Sequence, residues 1–238
     1  GFSRPLKEII QFSYAKEKLA LHFYINDNKG KLVLIFFLII LASLFIHSLK
    51  KQMIAQTNLA TDYKEQLVVR YPELSATIII LSIFQFIFID PPFIFSFWFW
   101  LISAVCLALI FRKYITTFWM NFWLVMIILF IFSSADNLLL QASRTERWLM
   151  LGLSFFGMVY GTYILFSSRK KDLREKRILY FIAFVVLLET ASFFFNIFGR
   201  FNLSKTLLAS GYVGVIIAIL FLWTARLINE ALGLASEI

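Results

Sequence analysis

The sequence is poor in charge. Of its 238 residues only 16% are Asp, Glu, Lys or Arg, against about 25% in an ordinary soluble domain. With 61% apolar residues, 29 of them Phe, and a mean hydropathy of +0.81, a soluble fold would lack the polar surface to cover its core. The chain belongs in a bilayer. A single cysteine, Cys106, lies inside an apolar run, which excludes a disulfide framework and a thiolate metal cluster. The two histidines, His22 and His47, are far apart and have no second ligand at metal-binding spacing. Also missing are a Walker-type loop, HExxH, GxSxG, paired acids within an apolar run and a selectivity-filter sequence. Neither catalysis nor a cofactor is expected. The first thirty residues have no clean apolar centre, so a cleavable signal peptide is not expected among them.

What the sequence has is long apolar runs. A helix needs about 20 apolar residues to cross about 30 Å of hydrocarbon. Seven runs qualify or come close: 32–49, 74–89, 93–111, 118–135, 148–168, 178–198 and 206–228. The expected fold is all-α, a polytopic helical membrane protein of about seven transmembrane helices. Residues 1–31 form an extramembrane or amphipathic arm and 32–238 the bundle. Asp90-Pro91-Pro92 is a turn signal, since Pro91 disfavours α conformation at Asp90 and two backbone donors are lost. It makes the second and third runs a tight hairpin. The second run is short, about 24 Å by helical rise.

Outside the spans, 5–28 mixes Leu6, Ile9, Ile10, Phe12 and Leu19 with charges, as a surface helix does. Residues 52–71 are amphipathic as well, with Met53, Ile54, Leu59, Tyr63, Leu67 and Val68 among Lys64, Glu65 and Arg70. Pro72-Glu73 then starts a helix well, with proline in the first turn and an acid near the positive dipole end.

The net charge of +9 does not call for nucleic acid, because the cations crowd the ends of apolar runs. Counted by connection, one face collects seven Lys and Arg and the other thirteen. The richer face is expected to be cytoplasmic, which puts the N-terminus outside and the C-terminus inside. The connection carrying Arg169, Lys170, Lys171, Arg174, Lys176 and Arg177 dominates this count and is a candidate site for anionic lipid headgroups.

Glu189 falls in the middle of the sixth run. An ionised acid there costs about 2.5–3.5 kcal/mol even on a lenient insertion scale. One reading makes it a proton or ion site. The other makes it a neutral carboxyl that ties helices together, with Thr190, Ser192 or Asn196 nearby; this is preferred, since no other run carries an ionisable group at its centre. Small residues mark helix-packing faces: Gly157 and Gly161 with Ser154 in the fifth run, and Gly211, Gly214, Ala218 and Ala225 in the seventh. A pore lining is the sharper reading of the seventh run. Trp98, Trp100, Trp119, Trp123, Trp148 and Trp223 mostly fall near span ends, as interface anchors do. Phe36-Phe37, Phe155-Phe156 and Phe193-Phe194-Phe195 offer a lipid-facing surface.

Two stretches resemble the large MscS-like mechanosensitive channels. The run RYPELSATIIILSIFQFIFIDPPFIFSFWFWLISAVCLALIFRK, 70–113, is similar to a hairpin in which a proline-started helix ends at a short acidic or proline turn and a second helix closes on basic residues. The run NIFGRFNLSKTLLASGYVGVIIAILFLWTARLINEAL, 196–232, resembles the segment upstream of the pore module in that family, where a Gly-Arg pair and a short polar stretch lead into a long helix. The resemblance covers about a third of the chain. It implies a homo-oligomeric ring, typically a heptamer, in a bacterial inner (plasma) membrane, with outer helices that respond to tension. It also implies an N-terminus outside and a cytoplasmic C-terminus, in agreement with the independent charge count. No glycine- and alanine-rich pore helix or following β-domain is present, so no gating residue is carried over. The chain is expected to be the membrane-sensor part of a longer polypeptide. The alternatives are a seven-helix receptor-type sensor and a transporter that works through Glu189.

Overall fold

The computed structural model describes residues 6–55, 66–139, 144–173 and 175–237. Among them are nine α-helices and no strand: α1 (Leu6–Asp27), α2 (Lys29–Ala55), α3 (Leu67–Arg70), α4 (Pro72–Phe84), α5 (Phe93–Phe111), α6 (Thr117–Asn137), α7 (Arg144–Phe166), α8 (Ile178–Ile197) and α9 (Phe201–Glu237). The all-α polytopic architecture is that expected from the runs. Six helices are long and apolar enough to cross a membrane: α2, α5, α6, α7, α8 and α9. The second run is the exception. It forms α4 and a 3₁₀ turn, Gln85–Ile87, together about 26 Å long by helical rise.

Helix ends follow local chemistry. Pro72 and Glu73 open α4, where a missing N–H costs nothing and an acid meets the positive dipole end. Asp90 turns the chain at φ 45, in the left-handed region that a short polar side chain tolerates, and Pro92 then leads into α5. At the end of α8, Gly199 adopts φ +76. Its N–H reaches the Asn196 carbonyl at 3.1 Å, while the Arg200 N–H reaches Phe195 at 2.9 Å. This is a left-handed glycine stop with a 6→1 bond, and it frees the chain to start α9 at once. Of the amphipathic stretch 52–71, only the two ends fall within the described residues. Met53 and Ile54 still belong to α2 and Leu67–Arg70 forms α3, whereas Leu59, Tyr63, Lys64 and Glu65 lie outside the described residues.

The helices divide into two compact units. One holds α6, α7, α8 and α9 to Ile219, together with α1 as far as Leu21; the other holds α2 to α5 and α9 from Leu220, together with α1 from His22. In the first, the buried centre includes Trp123, Phe130, Met150, Ile164, Leu208 and Ile216. In the second it includes Leu67, Ile78, Leu107 and Ile110.

Hydrogen bonds within each unit show how the chain alternates between its ends. In the second unit, Tyr24 donates its hydroxyl to the Ile89 carbonyl at 3.0 Å, joining the last turn of α1 to the α4–α5 turn. Burial, with the Asp90 carboxylate adding, pushes the Tyr24 phenol above its ordinary range. At the other end, Glu230 of α9 accepts from the Leu67 and Val68 N–H groups at 2.9 and 3.2 Å. Arg226 holds Glu230 at 3.1 Å and donates to the Tyr114 hydroxyl after α5. Short as it is, α4 therefore carries the chain between the same two ends as α2 and α5. In the first unit, Trp119 at the start of α6 donates to Arg169 between α7 and α8 at 3.3 Å. Lys205 at the start of α9 reaches Leu139 and Glu146 between α6 and α7. All these bonds join connections that a seven-crossing order puts on a common face.

The tryptophans do not all behave as interface anchors. Trp98 and Trp148 are exposed, but Trp119, Trp123 and Trp223 are buried. Trp223 packs against Phe111 and Tyr114 with the Arg226 guanidinium 4.9 Å from its ring centroid, so the ring serves packing and charge at once. Val33, Phe36, Phe37, Leu44 and Phe45 of α2 are all more than half exposed, apart from Leu34 and Leu41 at 47% and 46% on the same helix, and Phe155 and Phe194 are about half exposed, at 51% and 50%.

Candidate functional site

Along one face of α8, Glu189, Ser192 and Asn196 recur at the i, i+3, i+7 spacing that stacks side chains on a helix, and all three are fully buried. Their partners come from α7 and α9 of the same unit. Glycines make the approach possible. A Cβ on Gly157 of α7 would overlap the Tyr212 hydroxyl and stand 3.1 Å from the Glu189 Cγ. A Cβ on Gly211 of α9 would overlap the Glu189 Oε1. At Gly161 it would meet Val186 of α8 at 2.5 Å. The Glu189 carboxyl thus lies in a slot between two glycine surfaces, the close approach that small residues permit in lipid. Gly214 belongs to another face, with nothing within 4 Å of a Cβ there, and Ala218 is half-buried.

Toward the α8–α9 turn the column is fully bonded. Ser192 and Ser204 exchange bonds, each hydroxyl donating to the other's backbone carbonyl at 2.9 and 2.8 Å. Asn196 is clasped by Arg147, whose Nε donates to Oδ1 at 3.0 Å and whose guanidinium donates to the Asn196 carbonyl at 2.8 Å. The Asn196 amide returns a bond to the Arg147 carbonyl at 3.3 Å. Next to it Lys205 pairs with the buried Glu146 at 2.7 Å. This helical end is a dense polar lock, in which hydrogen bonds satisfy the buried groups.

Glu189 stands apart from that lock. None of the three neighbours expected to hold it does so: Thr190 bonds back to Val186, Ser192 is engaged with Ser204, and Asn196 with Arg147. Neither carboxyl oxygen has a hydrogen-bond partner among the described residues. The Tyr212 hydroxyl, which reaches the same slot, donates instead to the Leu153 carbonyl at 2.7 Å. Beyond Gly157 and Tyr212 lies a narrow apolar gap lined also by Phe122, Tyr160, Ile182 and Val185. A carboxyl held there has no donor to stabilise a negative charge, so the slot suits the neutral acid. Asp136, at the end of α6, is also buried with both oxygens unpartnered.

The basic connection is a different kind of surface. Arg169, Lys171, Lys176 and Arg177 are exposed and Lys170 is half-buried, whereas Arg174 lies outside the described residues. The Arg169 guanidinium sits 5.6 Å from the Phe118 ring centroid and the Lys170 ammonium 6.0 Å from that of Phe166. Ser167 accepts from the Arg169 N–H at 3.3 Å and fixes the short 3₁₀ turn Ser168–Asp172 that presents these cations.

The sequence points to Glu189, Asn196, Gly157, Gly161 and Gly211, places Gly214 on a packing face where nothing approaches it, and does not point to Tyr212, Ser204, Arg147, Glu146 or Lys205. The polar stripe on α8 was a usable signal. Its partners were not, because nothing in the sequence says which faces of α7 and α9 meet α8. Comparison with the profiles of known families, with curated proteins and with solved structures finds no match.

Proposed function

We propose that this chain is the tension-sensing transmembrane region of a mechanosensitive ion channel that protects against osmotic shock. In this reading it sits in a bacterial inner membrane as a homo-oligomeric ring, N-terminus outside and C-terminus cytoplasmic. The observation that carries the reading is α9. Its 37 residues run about 55 Å by helical rise, far more than a span requires. Hydrogen bonds tie both of its ends to neighbouring connections, through Lys205 near its start and through Arg226 and Glu230 near its end. It follows directly on the Gly199-Arg200 stop, in the segment that resembles the lead-in to a channel pore. Such a helix can pass displacement of the lipid-facing bundle along its length.

The apolar perimeter supplies the other half of the mechanism. The exposed face of α2 offers lipid a surface whose in-plane area and tilt respond to stretch. Tension favours whichever state is wider, a population shift driven by differential interaction with the bilayer. The short α4 adds sensitivity to thickness, since a stretched bilayer thins and a short span is better matched there. The exposed cations of the α7–α8 connection anchor this rim to anionic headgroups, each cation near the surface contributing about 1 kcal/mol. The test is the intact mass of the polypeptide purified from its native membrane, read beside its oligomeric mass. The reading expects a subunit much heavier than 27.8 kDa in a ring-sized assembly. A self-contained subunit of that mass would leave the channel without a pore and sink it.

A further inference from the structure

We propose that Glu189 is a proton-binding site that holds its proton while α7, α8 and α9 are packed and gives it up when they separate. The starting point is a mismatch between what the carboxyl costs and what it contributes. Both oxygens are fully buried and unpartnered, so Glu189 does not tie the helices as a buried glutamine or serine would. Yet two glycines leave room for it, Gly211 against Oε1 and Gly157 against Cγ, although glycine weakens a helix relative to alanine. The slot fits a carboxyl that contributes no hydrogen bond to packing, and it offers a carboxylate nothing.

The surroundings define when the proton can leave. From α9 the facing titratable group is Tyr212, whose hydroxyl is spent on the Leu153 carbonyl. From α7 the slot is walled by Gly157, and Tyr160 is the titratable side chain that α7 contributes to the adjoining gap. On α8 itself the column continues to Ser192 and Asn196, both bonded away from the carboxyl. Arg147 is committed to Asn196 at the α8–α9 end of the column, and Lys205 and Glu146 are paired with each other. Among the described residues no cation faces Glu189 to take the place of its proton. Separation of the three helices lets water reach the carboxyl, which then passes its proton to that water and becomes a hydrated carboxylate. The packed arrangement therefore binds one more proton than the separated one, and raising pH favours separation. In a tension sensor this would lower the threshold at high pH, but the site itself stands on the three-helix geometry alone.

The test uses the whole protein in its native membrane and the apolar reagent dicyclohexylcarbodiimide. Reaction requires the acid form: the carboxyl proton goes to a carbodiimide nitrogen while the carboxyl oxygen adds to its carbon, and the adduct rearranges to a stable N-acylurea. Peptide mass spectrometry is expected to find Glu189 modified, with a rate that falls by about tenfold per pH unit once the acid form is depleted. Thermal stability of the wild type should decline across the same range, and that of Glu189→Gln should decline less steeply, the remainder coming from groups such as the buried Asp136. An unmodified Glu189, a pH-independent rate, or a Glu189→Gln protein with the wild-type pH slope would overturn the proposal. If Glu189→Gln fails to fold, the labelling rate of the wild-type protein still decides. None of these readouts involves a current, so they fail or succeed separately from the channel reading.

Discussion

Gly211→Ala and Glu189→Ala should suppress one another. A Cβ on Gly211 would overlap the Glu189 Oε1, with Cδ at 3.4 Å and the Leu188 Cβ at 3.6 Å. In an open helix position the change from glycine to alanine stabilises by about 0.8–1 kcal/mol. Forcing an extra methyl into a packed interface costs about 1–3 kcal/mol, and the carboxyl is wedged against Gly157 on its other side. Gly211→Ala alone should therefore be neutral to destabilising by about 2 kcal/mol. In the Glu189→Ala background the overlapping oxygen is gone, and the same methyl should recover the helix gain. The expected coupling is about 1–3 kcal/mol. Gly214→Ala is the control, since nothing lies within 4 Å of a Cβ there, and it should stabilise equally in both backgrounds. Equilibrium unfolding in mixed micelles, followed by circular dichroism, gives the four corners of the cycle. Equal effects of Gly211→Ala with and without the carboxyl would refute the slot.

Three further outcomes follow from single contacts. Lys205→Ala removes the ammonium paired with the buried Glu146 carboxylate, so it should destabilise the first unit, by at most about 3–5 kcal/mol, whereas replacing both partners by apolar residues should cost less; unfolding in micelles reads both. Neutralising Arg169, Lys170 and Lys171 together should reduce co-purification of anionic phospholipid, and unchanged lipid retention in native mass spectrometry would contradict a headgroup site. The Tyr24 phenol should titrate above about 10, because burial and Asp90 both hold it protonated. Its bond to Ile89 should then be intact at neutral pH and lost only as pH rises through that raised value, which ultraviolet difference titration of wild type against Tyr24→Phe measures.

Much of the fold was legible because span length and turn chemistry are local. Phe93–Phe111 is bounded by Pro92 and by Arg112, and both signals lie in the sequence itself. The helix starting at Pro72 is read from its first two residues. Extent was less legible: α9 begins at Phe201 and runs to Glu237, beyond 206–228, because its last turns are held by polar contacts of Arg226 and Glu230 that apolarity does not report. Burial was harder still. Trp119 and Trp223 stand where anchors stand, yet the backbone carbonyl of Arg169 and the guanidinium of Arg226 draw their rings inward. Glu189 could be found as an anomaly in an apolar run. That it would be surrounded by glycines rather than by its polar neighbours depends on three helices meeting, which no single helix encodes.

The central claim is that this bundle converts bilayer stretch into a change of state. Its most direct test is patch-clamp recording from liposomes that contain the complete protein purified from its native membrane, with suction stepped up to rupture. The account predicts stepwise currents whose open probability rises steeply with tension and returns to zero on release. Silent patches up to lysis, from protein that is folded and assembled, would contradict it.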